Sequence, residues 1–501
     1  MSSFTAQFVS FLEKRFRFRP LQKSFTLPGK AAISDNTTIA VVGGGLAGPA
    51  FARRALSLAA QLGVRINVVL LTQPTCNYCA GLITDLTLQT MDRLYQLQIP
   101  GNIIKESIHE VVYLNPHGSV NLSLAAPLTS VFRTNRFHQS GFDDFWLDSV
   151  FDGLESESSL IAQRGGNATR IERKSPGSGF LVSGEKDGSR FELDADIVVL
   201  ATGLKSLQQP LIQKFIVDFG YQPPVLMDGC VTEVNTAQAQ HDALSGRALI
   251  IDGVIPGCIV AFIPKGREWL TITGLGKVLA DHDLELLFNH PIVRHYIRLD
   301  RPIDHLRCRK ICSAGVVIKP AQHFFGDGWA MVGDLSGHGR ALKDGYFAAL
   351  HTADLAARTI LCYGPSAVAF QRHYLQPLRK LEFDNRVGML LYDLDQKTIN
   401  GFIGVLLFNG ARLEIRRERY GGFLAGALRA LFSGELSYKI IAGFFAPAWV
   451  CTFYGAGSSA RWARNGASTG KNLQEGFPKG DGNFGFGQKD AQATKVFKEF
   501  F

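Results

Sequence analysis

Residues 38–73 read TIAVVGGGLAGPAFARRALSLAAQLGVRINVVLLTQ, and this stretch decides the fold. Ile39-Ala40-Val41-Val42 is a short apolar run of the kind that forms a strand covered on both faces. Gly43 to Gly48 then reads as a tight turn, Pro49 to Leu62 as a helix of small residues, and Ile66 to Leu71 as a second buried strand. The result is a βαβ unit with the spacing G-x-G-x-x-G at Gly43, Gly45 and Gly48. Gly43 permits the sharp turn, Gly45 lets backbone approach a pyrophosphate, and Gly48 lets helix and strand pack closely. Leu46 and Ala47 lead into the helix, whose first N–H groups face the phosphates. One feature departs from the fingerprint. The acidic ribose ligand expected after the second strand is missing, and Thr72 stands there as a neutral substitute.

Working outward, two distant segments have related patterns. Asp196-Ile-Val-Val-Leu-Ala-Thr-Gly203 is a buried strand ending in small residues. Trp329-Ala-Met-Val-Gly-Asp334 is another, followed by a glycine-rich turn and a helix over Asp344–Ile360. Gly333 and Asp334 place a carboxylate at a strand end, suited to ribose or ribityl hydroxyls and equally to capping a helix.

In this order and at these distances, GGGLAG (43–48), DIVVLATG (196–203) and VGDLSGHGRALKDGY (332–346) resemble FAD enzymes of the para-hydroxybenzoate-hydroxylase type. Two further segments are similar to the geranylgeranyl reductase family. CNYCAGL (76–82) looks like that family's Cys-Gly-Gly-type loop, and Ile259–Gly266 with Leu270–Gly276 looks like the strand pair around its aromatic-x-aromatic-Pro substrate motif. Val131-Phe132-Arg133 followed by Phe142–Leu147 is similar to the arginine and Phe-Asp helix that close over the flavin. The resemblance spans about residues 36–360. The Trp-x-Trp-x-Ile-Pro motif of flavin halogenases is absent.

The resemblance implies an α/β fold in which a Rossmann-like FAD-binding domain (36–90, 130–205 and 325–362) interleaves with an antiparallel-sheet substrate domain (91–129 and 206–324). It also implies that Arg133 approaches the phosphate or ring side of FAD. Lys343, Asp344 and Gly345 would lie at the flavin's pyrimidine edge, and Phe262 and Pro264 would line the substrate pocket. Cys79 would shape that pocket near the flavin, and His338, inside the flavin turn, is a candidate proton donor or a positioned polar residue. Other readings of the thiols stay open: Cys76-x-x-Cys79 as a redox pair, a four-cysteine metal site with Cys308 and Cys312, or plain structural cysteines. No metal is assigned. With no second dinucleotide fingerprint, the electron donor is expected to be transiently bound NAD(P)H or a reduced carrier protein.

Residues 363–456 read as a helical extension, and 457–501, rich in glycine and serine, as a flexible tail. Within the extension, Ile440–Tyr454 is apolar but contains Pro447 and is short of the roughly 20 residues a membrane span needs. The formal charge of +9 sits at the ends: residues 1–35 hold six Lys/Arg against two acids, and residues 409–501 hold thirteen against seven. A near-neutral body argues against a nucleic-acid partner. Phe8, Phe11, Leu12, Phe16 and Phe18 alternate with arginines and lysine, as in an amphipathic segment at an anionic surface. The eight cysteines form no disulfide framework, and no secretory signal leads the chain. The expectation is therefore a cytoplasmic, peripheral membrane enzyme that uses FAD to reduce a long apolar substrate, isoprenoid or quinone-like. An aromatic monooxygenase and a non-catalytic flavoprotein subunit are the alternatives.

Overall fold

The computed structural model describes residues 25–73, 80–134, 141–154, 158–175, 179–236, 242–299, 301–306, 308, 311–340, 345–416 and 423–445. The amphipathic reading of residues 1–24 and everything beyond residue 445 lie outside them, as do Cys76, Cys79, Lys343 and Asp344.

The chain begins β1 (Thr37–Val42), α1 (Ala47–Leu62), β2 (Ile66–Thr72), β3 (Leu82–Ile83), α2 (Asp85–Thr90), β4 (Ile104–Asn115), β5 (Gly118–Val131) and α3 (Phe142–Asp148). It continues through β6 (Ser159–Arg164), β7 (Asn167–Arg173), β8 (Phe180–Lys186), β9 (Ser189–Ala195), β10 (Ile197–Leu200) and α4 (Pro210–Phe219). Next come β11 (Val225–Asn235), β12 (Arg247–Ile255), β13 (Cys258–Lys265), β14 (Trp269–Leu275), α5 (Asp281–Asn289), α6 (Pro291–Tyr296) and α7 (Ile303–Leu306). It closes with β15 (Cys312–Lys319), β16 (Phe325–Gly326), β17 (Trp329–Met331), α8 (Gly345–Tyr363), α9 (Ala367–Phe370), α10 (Gln376–Thr398), α11 (Phe402–Arg416) and α12 (Phe423–Ser433).

The first sheet has the order β16-β17-β10-β1-β2-β6, parallel except at the β16 edge. Val41 lies beside Val199 on one side and Leu70 on the other. These central strands are covered on both faces, which is why they read as unbroken apolar runs. The small residues of α1 bring it close to the sheet and to α8, and Gly63, in the left-handed region at φ 64°, ends it. Arg54 of α1 and Asp354 of α8 form a buried ion pair at 2.7 Å, which Arg358 joins at 2.8 Å.

The second sheet has the order β15-β11-β14-β13-β12-β4-β5-β3. It is antiparallel except where β4 and β12 pair parallel, so it is mixed rather than purely antiparallel. The reason is connectivity. The chain leaves this sheet after β5, builds part of the first, and returns at β11, so no hairpin dictates the direction of β12 against β4. Helices α5 to α7 cover one face through Leu284, Leu287, Phe288, Val293 and Ile303. The helical C-terminal region packs on the other elements: Phe408 of α11 and Phe432 of α12 meet Tyr113, Val120 and Leu122. Among the described residues no helix is long and apolar enough to cross a membrane.

Candidate cofactor-binding site

Because β1, β2, β10 and β17 run parallel, their C-terminal ends lie along one edge, the crevice position for ligands of open α/β sheets. That edge gathers Gly43–Gly48, Thr72, Ala201–Gly203 and Gly333–Asp334. The glycines are there for space. A Cβ on Gly43 (φ 125°) would lie 2.3 Å from the Ala201 carbonyl oxygen, and one on Gly48 would lie 1.9 Å from that of Gly43. A Cβ on Gly44 would collide with the Thr72 side chain at 2.6 Å, so buried Thr72 is packed against the turn itself. Helix α1 has neither a side-chain cap nor an acid in its first turn. Its N-terminal dipole is therefore not compensated by the protein and favours an anion.

Asp334 sits opposite, in the turn Gly333–Ser336, where Gly333 (φ 65°) brings the chain so near α1 that an added Cβ would be 2.8 Å from the Ala47 Cβ. Asp334 is exposed to solvent along this edge, with protein around it on the remaining sides. Burial raises its pKa, the Arg133 guanidinium opposes that rise, and the Asp143 charge adds to it. A carboxylate with these properties lines a recess. Cradle and recessed carboxylate fit a dinucleotide, one for the pyrophosphate and the other for a polyhydroxyl chain.

The Arg133 Nε donates to both Asp143 oxygens, at 3.0 and 3.2 Å, and the guanidinium lies 5.5 Å from the Tyr346 ring centroid. Backbone bonds from Phe142 and Asp143 to Phe132 and Arg133, 2.8 Å each, hold α3 against this segment. Gly345 begins α8 directly before Tyr346. Cys79, Lys343 and Asp344 lie outside the described residues, so their expected roles are not placed.

Other residues singled out from the sequence go elsewhere. Phe262 is fully buried in the second sheet's core, its ring 5.1 Å from that of Phe288, and the Pro264 carbonyl accepts from Ser130 at 2.9 Å. His338 is buried with its ring centroid 5.0 Å from that of Phe324, and burial lowers its pKa to about 4. It is therefore a neutral imidazole at pH 7. The Cys308 thiol sits beside the Glu233 amide, 3.5 Å away, and among the described residues no His/Cys/Asp/Glu group could hold a metal.

Sequence reasoning passed over Lys265. Its buried ammonium donates to the carbonyls of Ala80, Gly81 and Val131 at 2.8–2.9 Å, so one side chain ties β13 to the end of the cysteine loop and to the strand leading to Arg133. Three donors meet three acceptors. A charged residue at the end of the otherwise apolar run 258–264 was the available signal. Asp143 and Tyr346 were likewise missed as partners of Arg133.

Among solved structures, the chain is similar to a geranylgeranyl bacteriochlorophyll reductase-like protein of Thermoplasma acidophilum. The TM-score is 0.53 at 14% identity, over 73% of this chain and 90% of that one. It is similar to a flavin-dependent brominase (0.53, 14%, covering 82% and 99%) and to a probable FAD-dependent monooxygenase of Pseudomonas aeruginosa (0.50, 13%, covering 74% and 99%). The chain has the FAD-binding flavoprotein fold. No protein-family model and no curated protein sequence matches it. At these identities the likeness is one of fold, and it joins reductase, halogenase and monooxygenase architectures without separating them.

Proposed function

We propose that this chain is an FAD-dependent oxidoreductase that reduces a long apolar substrate, isoprenoid or quinone-like. The observation that carries the reading is the pairing of the glycine cradle at Gly43–Gly48 with recessed Asp334 across one sheet edge. FAD would supply the hydride or electron transfer. The protein's own groups bind and orient it. The cradle and the first turn of α1 take the pyrophosphate, Thr72 the neighbouring ribose, and Asp334 the ribityl hydroxyls. Arg133, held in place by Asp143 and Tyr346, sets positive charge beside the recess. By the resemblance, Lys343, Asp344 and Gly345 would serve the pyrimidine edge, and Cys79 would shape the apolar side of the substrate pocket. NAD(P)H or a reduced carrier protein is the donor.

A membrane surface is the proposed working place. Helix α11 exposes Phe402 (73%) and Leu413 (53%), eleven residues apart and so on one helical face, with exposed Arg416 nearby.

The test starts with denaturing release of flavin from purified protein and its identification by mass. One FAD per chain is expected, and a flavin-free protein that takes up no added FAD would overturn the reading. Anaerobically reduced protein should then be reoxidised by a polyprenyl enone or quinone. Reoxidation by oxygen alone, coupled to hydroxylation of an added aromatic, would favour the monooxygenase reading instead.

A further inference from the structure

The turn that carries Asp334 has a second side. While Gly333 meets α1, Gly337 (φ 69°) is pressed against the segment before β16, where an added Cβ would come within 2.6 Å of the Ala321 amide nitrogen. On this second side a groove of about 1420 Å³ opens between residues 318–329, the ends of β7 and α4, and helices α9 and α10. Phe219 and Phe325 line it with partly exposed rings, backed by buried Phe324 and Trp329. None of the cradle residues, and neither Phe262 nor Pro264, lines it.

His338 also lines this groove. It is 2% exposed; the Ser336 backbone lies beside its ring, and neither ring nitrogen completes a well-formed hydrogen bond. A buried imidazole whose nitrogens are incompletely satisfied gains from a further polar partner. The charges around the groove are unevenly committed. Glu382 is paired with Arg386, Asp218 with Lys214 and Glu172 with Arg170, while the Asp327 carboxylate accepts from the Ala367 amide. Of the groove's cations, Arg173 is occupied by the Asp327 carbonyl, whereas Lys319 and Arg379 have no ion-pair partner among the described residues. Asp393 is the acid left over. The charged groups left over are thus two cations and one carboxylate, beside the recessed neutral imidazole of His338 and the exposed side chains of Gln322, His323 and Gln371.

We propose that this groove is a second ligand site, separate from the cofactor recess, for an aromatic acid of two or more rings. Its flat body lies on the Phe219 and Phe325 rings, a polar atom meets the His338 ring, and its acidic group is held by Lys319 and Arg379. The volume exceeds that of most sites for small ligands, roughly 300–1,000 Å³, which favours more than one ring. The site does not depend on which reaction the flavin performs.

The probe is 1-anilinonaphthalene-8-sulfonate, titrated into the full-length, FAD-saturated protein, with its uncharged analogue N-phenyl-1-naphthylamine as comparison. Saturable binding at one site per chain is expected, with tryptophan-to-dye energy transfer that falls in Trp329→Phe while the other four tryptophans remain. The double substitution Lys319→Ala/Arg379→Ala should weaken the sulfonate about tenfold and leave the uncharged analogue unchanged. His338→Phe should weaken sulfonate binding without lowering the melting temperature. The proposal is overturned by non-saturable binding, by sulfonate affinity unchanged in both variants, or by equal loss of both probes in the double variant.

Discussion

The cofactor recess and the seam of the C-terminal helices hold together by opposite means. The recess is made from missing side chains. Gly43, Gly44, Gly48 and Gly333 let backbone and helix approach to distances that any Cβ would prevent. The seam is made from buried charge. The Arg340 guanidinium donates to the carbonyls of Gly434 and Leu436 at 3.0 and 2.7 Å, sits 3.2 Å from Asp384 of α10, and lies 5.0 Å from the Tyr438 ring. Further along α10, Asp395 shares a hydrogen bond with Asp252 of β12, which also accepts from Tyr113 at 3.1 Å and Gln396 at 3.0 Å. A glycine cradle leaves room for a ligand and titrates nothing. A seam of buried charge excludes ligand but depends on every partner and on pH.

The largest expected effect lies in the seam. Arg340→Met leaves Asp384 buried without its cation and should cost about 3–5 kcal/mol, read from urea denaturation. The double variant Arg340→Met/Asp384→Leu should recover much of that loss, because two uncharged groups need no pairing. If the double variant is as unstable as the single, the charge pair is not what the seam depends on.

Next comes the cradle. Gly48→Val forces a side chain onto the Gly43 carbonyl, and overpacking of this kind costs about 1–3 kcal/mol. The purified variant should melt lower and carry little flavin, seen as a collapsed ratio of visible to ultraviolet absorbance. Asp334→Asn tests the ligand side of the comparison. Its fold should persist while FAD affinity falls about tenfold or more, as for loss of a charge-assisted hydrogen bond, measured by quenching of flavin fluorescence. A stable Asp334→Asn protein with unchanged FAD affinity would detach that carboxylate from the cofactor.

The smallest effect separates the regions by pH. Burial and the neighbouring Asp252 charge push Asp395 up to about 8, above its value in the unfolded chain. The native state therefore binds a proton that the unfolded state has lost, and stability falls as pH rises from about 4 to about 8. Asp395→Asn should flatten this slope and melt about 2–4 °C above the parent at pH 8.5. Equal slopes in parent and variant would show that the pair does not share a proton.

The two regions also differ in how far the sequence reveals them. The cradle lies within six consecutive residues, and its geometry follows from glycine spacing between two apolar runs. The same local logic located Asp334 at the end of β17 and Thr72 at the end of β2. Asp252 and Asp395 are 143 residues apart and Arg340 and Asp384 are 44 apart, with nothing in either neighbourhood naming the other. Lys265 looked like the end of a strand, and its three carbonyl partners come from residues 80, 81 and 131. His338 was noticed as part of the turn, but which side of the turn it faces depends on Phe324, which arrives from another segment.

By itself, the sequence determined the βαβ unit, the turn that needs glycine, and the strand ends that carry Thr72 and Asp334, because steric limits and apolar periodicity act over a few residues. Tertiary structure decided that these ends share one edge and that β4 pairs parallel with β12. It also decided that Arg133 is held by Asp143 and Tyr346, and that a groove with two uncommitted cations lies behind the turn. Those outcomes depend on which distant segments pack together, and burial and charge pairing act only after the chain has brought them into contact.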